Sequence, residues 1–364
     1  MPNRDSPSSG SRPNLAGRGA QIDPANRFER IHLEDDSEQL ECEDDGPRRI
    51  ATEYFFDHTK SIVSENKSPD LAFRWSLNPY RGCLHGCSYC YARPTHEYLG
   101  MNAGLDFESK ILVKPNAASL FRDWLARDAW VPEPITLSGV TDCYQPAERK
   151  FQVTRQLLEV ALKARQPITI VTKNALVTRD LDILCEMAKR NTVAVALSIT
   201  SLDQSLTRVM EPRTSSPAAR LRAIEELTQA GVPTSVMVAP VIPGLNDTEI
   251  PKILEGAKNA GASSAAYTLL RLPFAVRDIF LDWLDRNQPL AKERVLSRIQ
   301  ATRGGRLSDS QFGRRMRGEG ELARQIQNVF TVFARKLDLQ QRRPLCQSEF
   351  RRPLPTSGQR RLFE

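Results

Sequence analysis

Three cysteines, Cys83, Cys87 and Cys90, fall within eight residues of the stretch SLNPYRGCLHGCSYCYARPTHEYLG (76–100), beside His85 and His96. A closed structural zinc site takes four ligands, commonly as two Cys or His pairs a dozen or more residues apart, and no second pair follows here. His85 sits inside the span between Cys83 and Cys87, an awkward place from which to complete a tetrahedron. Three thiolates on one loop suit a [4Fe–4S] cluster, each holding one iron and leaving the fourth iron open to an external ligand. An open iron points to catalysis, whereas a fourth cysteine would favour electron storage. A non-catalytic iron–sulfur or zinc binding module is the alternative that the spacing leaves open.

The chain that must position these thiols has 364 residues, enough for one large domain with appendages. Seven cysteines, an odd number with three of them crowded, do not make a disulfide framework at this length and suit a reducing compartment. No window approaches the roughly 18 apolar residues of a membrane span, and the N-terminus MPNRDSPSSGSRPN lacks the apolar core of a secretory signal. The expectation is therefore a cytoplasmic protein with no membrane partner. A net charge of +7 makes polyanions plausible ligands, although a modest excess is weak support alone.

Short apolar runs alternate with helical patterns from Trp75 onward: ITLSGV (135–140), ITIVTK (168–173), VAVALSIT (193–200), TSVMVAPVI (234–242) and AAYTLLRL (265–272). Helices of ten or more residues separate them, which indicates β-α-β units and a parallel sheet buried on both faces. With a strand just before the cysteine loop, the expected fold is α/β, a partial (β/α)6 TIM-like barrel with a C-terminal helical extension; an open doubly wound sheet is the second choice. Pro217 opens one helix and Gly231 and Gly261 close two others. The expected units are a disordered acidic tail (1–50) with eight carboxylates between Glu34 and Asp45, a lead-in (51–74), a core (75–284), the helical extension (285–340) and a disordered basic tail (341–364).

The spacing of the triplet, with Tyr89 directly before the third cysteine, resembles the signature of the radical S-adenosylmethionine (SAM) superfamily. The segments WSLNPYRGCLHGCSYCYAR, TDCYQPAE, TKN, EPRTSSPAARL, PVIPGLND and LRLP, in that order, resemble its spore photoproduct lyase-like branch, and within it the PA0069 family. The resemblance implies a [4Fe–4S] cluster on Cys83, Cys87 and Cys90 whose open iron binds SAM. It also implies reductive cleavage of SAM to a 5′-deoxyadenosyl radical, and an electron donor such as flavodoxin or ferredoxin. By position, Tyr89 would lie against the adenine, and Gly139, Thr141 and Asp142 would face the SAM ammonium, although SGVTD departs from the usual Gly-Gly-Glu run. Ser198 and Arg213 would meet the ribose and carboxylate, with pairing of Arg213 to Glu211 the alternative. Val241 would grip the adenine through its backbone.

Cys143 is expected to face the barrel mouth, near where spore photoproduct lyase has a hydrogen-donating cysteine, or else to be packing. Lys173, at the end of a strand, would anchor an acidic substrate group, or would merely reach solvent. Tyr144 and Gln145 either contact a base or fix their own loop. Gln359, Leu362 and Phe363 have the spacing of a short sliding-clamp-binding peptide. The implied substrate is DNA or RNA, supported by Arg303, Arg306, Arg314, Arg315 and Arg317. A protein or a small metabolite is the alternative.

Overall fold

A computed structural model describes residues 15–28, 48–341 and 343–356. Six parallel strands form the centre: β1 (Trp75–Leu77), β2 (Ile135–Leu137), β3 (Ile168–Thr172), β4 (Val193–Ser198), β5 (Thr234–Val241) and β6 (Ser264–Leu269). They lie side by side in chain order, and a short antiparallel strand, Val63–Glu65, borders β1. Each strand is followed by a helix: α1 (Ala117–Leu125), α2 (Val153–Ala164), α3 (Leu181–Ala188), α4 (Pro217–Gln229), α5 (Ile250–Asn259) and α6 (Val276–Asn287). The expected partial (β/α)6 barrel is therefore the observed fold. Two more helices, α7 (Lys292–Ala301) and α8 (Gly320–Lys336), follow.

Strand alternation determines what this barrel encloses. Ile168, Ile170, Val193, Val195, Leu197, Val236 and Val238 point outward and are buried in the main apolar cluster with Leu157, Leu158, Ile224, Leu227, Ile253 and Leu254 of the helices. Their neighbours Thr169, Val171, Ala194, Ala196, Ser235 and Met237 face inward, are half-buried, and line a concave cavity of about 1170 Å³. The sheet was expected to be buried on both faces. Instead, these mostly small inward residues leave the interior hollow.

Local signals hold the connecting elements. Ser216 caps α4, its hydroxyl accepting from the Ala219 N–H at 3.3 Å, with Pro217 at the first helical position. Gly231 (φ +79°) and Gly261 (φ +95°) end the runs before β5 and β6 in the left-handed conformation that glycine adopts without strain.

The described parts of the two terminal segments make contacts that composition did not indicate. The acidic block Glu34–Asp45, Cys42 and the clamp-like residues Gln359, Leu362 and Phe363 lie outside the described residues, but residues 17–28 pack against the cysteine loop. The Glu108 carboxylate accepts from the Gly19 and Ala20 N–H groups at 3.2–3.3 Å while pairing with buried Arg93 at 2.6 Å. At the opposite end, residues 343–356 cross the helix C-termini. Arg351 N donates to Ala164 O at 2.8 Å, Cys346 N to Asn191 O at 2.8 Å, and the Arg352 guanidinium to Trp130 O at 3.2 Å. Helix ends expose unpaired carbonyls, so a basic, apolar-poor segment docks by hydrogen bonds that hydropathy does not reveal.

Gly19 crosses Gly86 so closely that an added Cβ would lie 1.7 Å from the Gly86 carbonyl oxygen. The Gly19→Ala substitution should lift the 17–28 segment from the loop and accelerate tryptic cleavage at Arg18 and Arg27. A digestion time course followed by mass spectrometry checks this, and equal rates in both proteins would show that the contact does not hold the segment.

Candidate active site

The cysteine loop leaves the C-terminal end of β1, the barrel end where βα loops gather. A small second sheet holds its entrance: Tyr80–Arg81 pairs antiparallel with Lys110–Val113, which pairs parallel with Glu53–Phe56. Gln145 clamps the loop from the β2 side, its amide oxygen accepting from Leu84 N and its amide nitrogen donating to Gly82 O, both at 2.9 Å. Cys83 N donates to Phe107 O at 2.9 Å. The loop thus has almost no freedom of its own.

All three thiols turn inward and none is in a disulfide. Burial pushes the Cys83 thiol up to about 12, with Asp142 and Cys90 adding to the effect. Burial also raises Cys87 and Cys90, whose thiolates Lys173 partly offsets. Thiolates in such surroundings require cationic partners. Among the described residues no three His, Cys, Asp or Glu groups converge on a single ion. The Ser88 hydroxyl, in the same loop, is buried with no hydrogen-bond partner. Three mutually coupled thiols, an orphan donor and nearby cations suit a polynuclear iron–sulfur group.

Both histidines have one or both ring nitrogens engaged, and the buried Nδ1 of His96 has no hydrogen-bond partner among the described residues. His85 Nδ1 lies 3.4 Å from Asp142 and Nε2 3.3 Å from the Asn174 amide, and burial holds its pKa below the ordinary value. His96 Nε2 lies 3.0 Å from Lys110 O.

Tyr89 is buried, with its hydroxyl bonded to Glu211, which also pairs with Arg220 and accepts from Thr200 at 2.5 Å. Burial alone would raise the Glu211 pKa, but Arg220, Lys173, Thr200 and Tyr89 together hold it at about 2. Arg220 also donates to the Ser198 carbonyl at 2.8 Å, tying the end of β4 to the start of α4. Lys173 Nζ donates to Ala239 O at 3.2 Å and lies 5.9 Å from the Tyr89 ring centroid. Lys173, Tyr89 and the cysteines are therefore gathered at one end of the barrel.

Other anticipated residues have different surroundings. Asp142 uses its carboxylate internally, accepting from Thr172 and Lys173 N at 2.7 Å and from Tyr144 N at 2.9 Å. Thr141 donates to Tyr80 O at 2.9 Å, and the Gly139 carbonyl accepts from the Tyr91 hydroxyl at 2.7 Å. Val241 is buried, its carbonyl accepting from Leu270 N. Arg213 is exposed and forms no ion pair among the described residues, since Arg220 takes the Glu211 carboxylate.

Cys143 corrects the expectation that it faces the mouth. It is completely buried in the main apolar cluster, because the loop after β2 turns down into the helices: its N–H donates to Ser138 Oγ and its carbonyl accepts from Thr154. Tyr144 and Gln145 fix this same loop, Tyr144 through a 3.0 Å bond to Asp180. Of the two readings of Gln145, the loop-fixing one matches its bonds, whereas the roles of Glu108 and Arg220 were missed. The EPRTSSPAAR run was the one signal that could have revealed Arg220.

A family profile described as the Radical SAM superfamily matches residues 77–257. An uncharacterized protein of Mycobacterium tuberculosis is 39% identical over 229 residues, 62% of this chain and 67% of the relative. One from Methanocaldococcus jannaschii is 30% identical over 190 residues, 52% of this chain and 68% of the relative. Among solved structures, a spore photoproduct lyase variant with bound AdoMet and dinucleoside spore photoproduct superposes with a TM-score of 0.58 at 16% identity, covering 78% of each chain. The chain belongs to the radical SAM superfamily. It is an enzyme of that class, with a spore photoproduct lyase-like fold.

Removing the Glu211 charge leaves Arg220 buried and unpaired. The Glu211→Gln substitution should cost about 3–5 kcal/mol at neutral pH, read as a lower urea midpoint. The folded pKa of about 2 lies below the ordinary 4.5, so this stabilisation is complete above 4.5 and fades as pH falls toward 2. The gap between the two proteins should narrow over that window, and coincident midpoints at neutral pH would contradict the pairing.

Proposed function

We propose that this enzyme holds a [4Fe–4S] cluster on Cys83, Cys87 and Cys90, binds SAM beside it, and acts on nucleic acid in a repair or modification reaction. The observation that carries the proposal is that three thiols free of disulfides, two buried and one half-buried, lie on one loop at the end of the first barrel strand. Reductive cleavage of bound SAM supplies a 5′-deoxyadenosyl radical.

The chain's own residues account for orientation and exclusion of water. Tyr89, fixed by Glu211 and Thr200, forms a rigid apolar wall beside the thiols. Lys173 supplies a cation there, suited to the SAM carboxylate. The Ser198 hydroxyl, at the end of β4, is a donor for the ribose. Gly139 is left with a positioning role through Tyr91, and Thr141 and Asp142 shape the loop beneath. The 17–28 segment closes the loop's outer side.

Support for a nucleic-acid substrate comes from the net charge of +7 and from the dinucleoside ligand of the lyase that shares this fold. The arginine-rich 303–317 segment contributes less than its composition promised. Arg303 is buried against backbone carbonyls, Arg314 pairs with Asp309 and Glu319, and Arg315 pairs with Asp70. Recognition then rests on the cavity and its rim rather than on a broad basic face.

Anaerobically reconstituted protein, supplied with reductant and SAM, should release 5′-deoxyadenosine, with faster release when damaged DNA or RNA is added. The Cys87→Ala protein should release none, and release by that variant would overturn the cluster assignment. Indifference to every nucleic acid offered would redirect the search to proteins or metabolites.

A further inference from the structure

The two carboxylates that line the cavity are both taken up. Of the carboxylates lining it, Glu133 pairs with Arg74 at 3.2 Å. Asp70 is occupied by Arg315 and by the Gly313 N–H at 2.7 Å. Two arginines, Arg317 lining the cavity and Arg271 beside the lining residue Met316, lack an ion pair among the described residues, although the Asp70 carboxylate acts on Arg271 at longer range. Arg271, directly after β6, donates to Met316 Sδ at 3.6 Å and lies 5.7 Å from the Tyr91 ring centroid; burial and the neighbouring Arg315 lower its pKa. Arg317 lines the cavity, is exposed, and lies 5.1 Å from the Tyr267 ring centroid. Neither forms an ion pair among the described residues.

Their positions are fixed from beneath. Leu269 N donates to Met316 O at 3.0 Å, joining the end of β6 to the 303–318 loop. Buried Arg303 reinforces the joint, donating to Leu270 O at 2.6 Å and to Arg314 O and Arg315 O at 3.1 and 2.9 Å. Two guanidiniums without an ion pair, one of them largely desolvated, stand on either side of Met316. A fixed pair of planar donors at the edge of a cavity is suited to phosphate oxygens. Tyr91, 49% exposed, stands beside Arg271 with its hydroxyl tied to Gly139, so its ring is available to stack on a base.

We propose that Arg271 and Arg317 anchor the phosphates of a nucleotide ligand whose base enters the cavity past Tyr91. This deepens the nucleic-acid reading of the same site and rests on it for the polymer, though not for the phosphate.

The test is fluorescence anisotropy of a labelled single-stranded oligothymidylate on reconstituted holoenzyme across a salt series, with thymidine monophosphate as a second probe. The Arg271→Gln and Arg317→Gln substitutions should each weaken oligonucleotide binding roughly tenfold and reduce the salt slope by about 0.7. Arg271→Lys should recover part of the loss. Arg222→Gln, an exposed charge on α4 at the outer face, should change neither quantity. Arg317 is exposed, so its variant tests the idea even if the Arg271 change disturbs folding. An equal loss in the Arg222 variant would overturn the proposal in favour of bulk charge. Oligonucleotide binding indifferent to both rim arginines would overturn the anchor and leave the nucleic-acid reading standing. Arginine-dependent binding of the monophosphate alone would support the anchor and remove the polymer. Binding of neither probe by the wild-type protein would overturn both.

Discussion

A loop of eight residues that buries three thiols has little apolar surface with which to stabilise its own shape, and each thiol raises the electrostatic cost of ionising the next. Its conformation must come from elsewhere. Gln145 grips it from the β2 side, Phe107 O and the small sheet from the entrance, and Gly19 from outside. Each contact uses backbone or amide groups that leave the sulfurs untouched. The loop is rigid because its neighbours are, and the barrel supplies the neighbours.

Arginine holds much of this framework together. Arg93, Arg220 and Arg303 are almost completely buried and each binds backbone carbonyls of distant segments, two of them also a carboxylate. One planar side chain with several fixed donors can join three loops where an apolar residue would join none. This explains why a basic composition does not translate into a uniformly basic surface. Charges that look free in a list of residues are mostly consumed inside, and those left at the cavity rim stand out for that reason.

The barrel strands were legible as short apolar runs between helical patterns, and Pro217, Gly231 and Gly261 punctuate the helices by known backbone rules. The cysteine triplet was legible because its spacing restricts the chemistry it can perform. The roles of Glu108 and Arg220 were not, since each acts on a segment many residues away or through a backbone group, and sequence distance hides such pairs. Cys143 was misread for a related reason: loop residues after a strand were taken to face the mouth, whereas Ser138 and Thr154 draw this one into the core. Both tails were read from composition and charge, which do not reveal segments docked by hydrogen bonds to helix ends and glycines.

The unclosed barrel carries one last consequence. A sheet that stops short of closing has two edges, and a bare edge is a template for another strand. Here the β6 edge is already engaged by Leu339, Gln340 and Met316 through backbone hydrogen bonds. The opposite edge ends in the three-residue strand Val63–Glu65, too short to recruit a partner readily. Neither edge therefore offers a long bare template for a further strand.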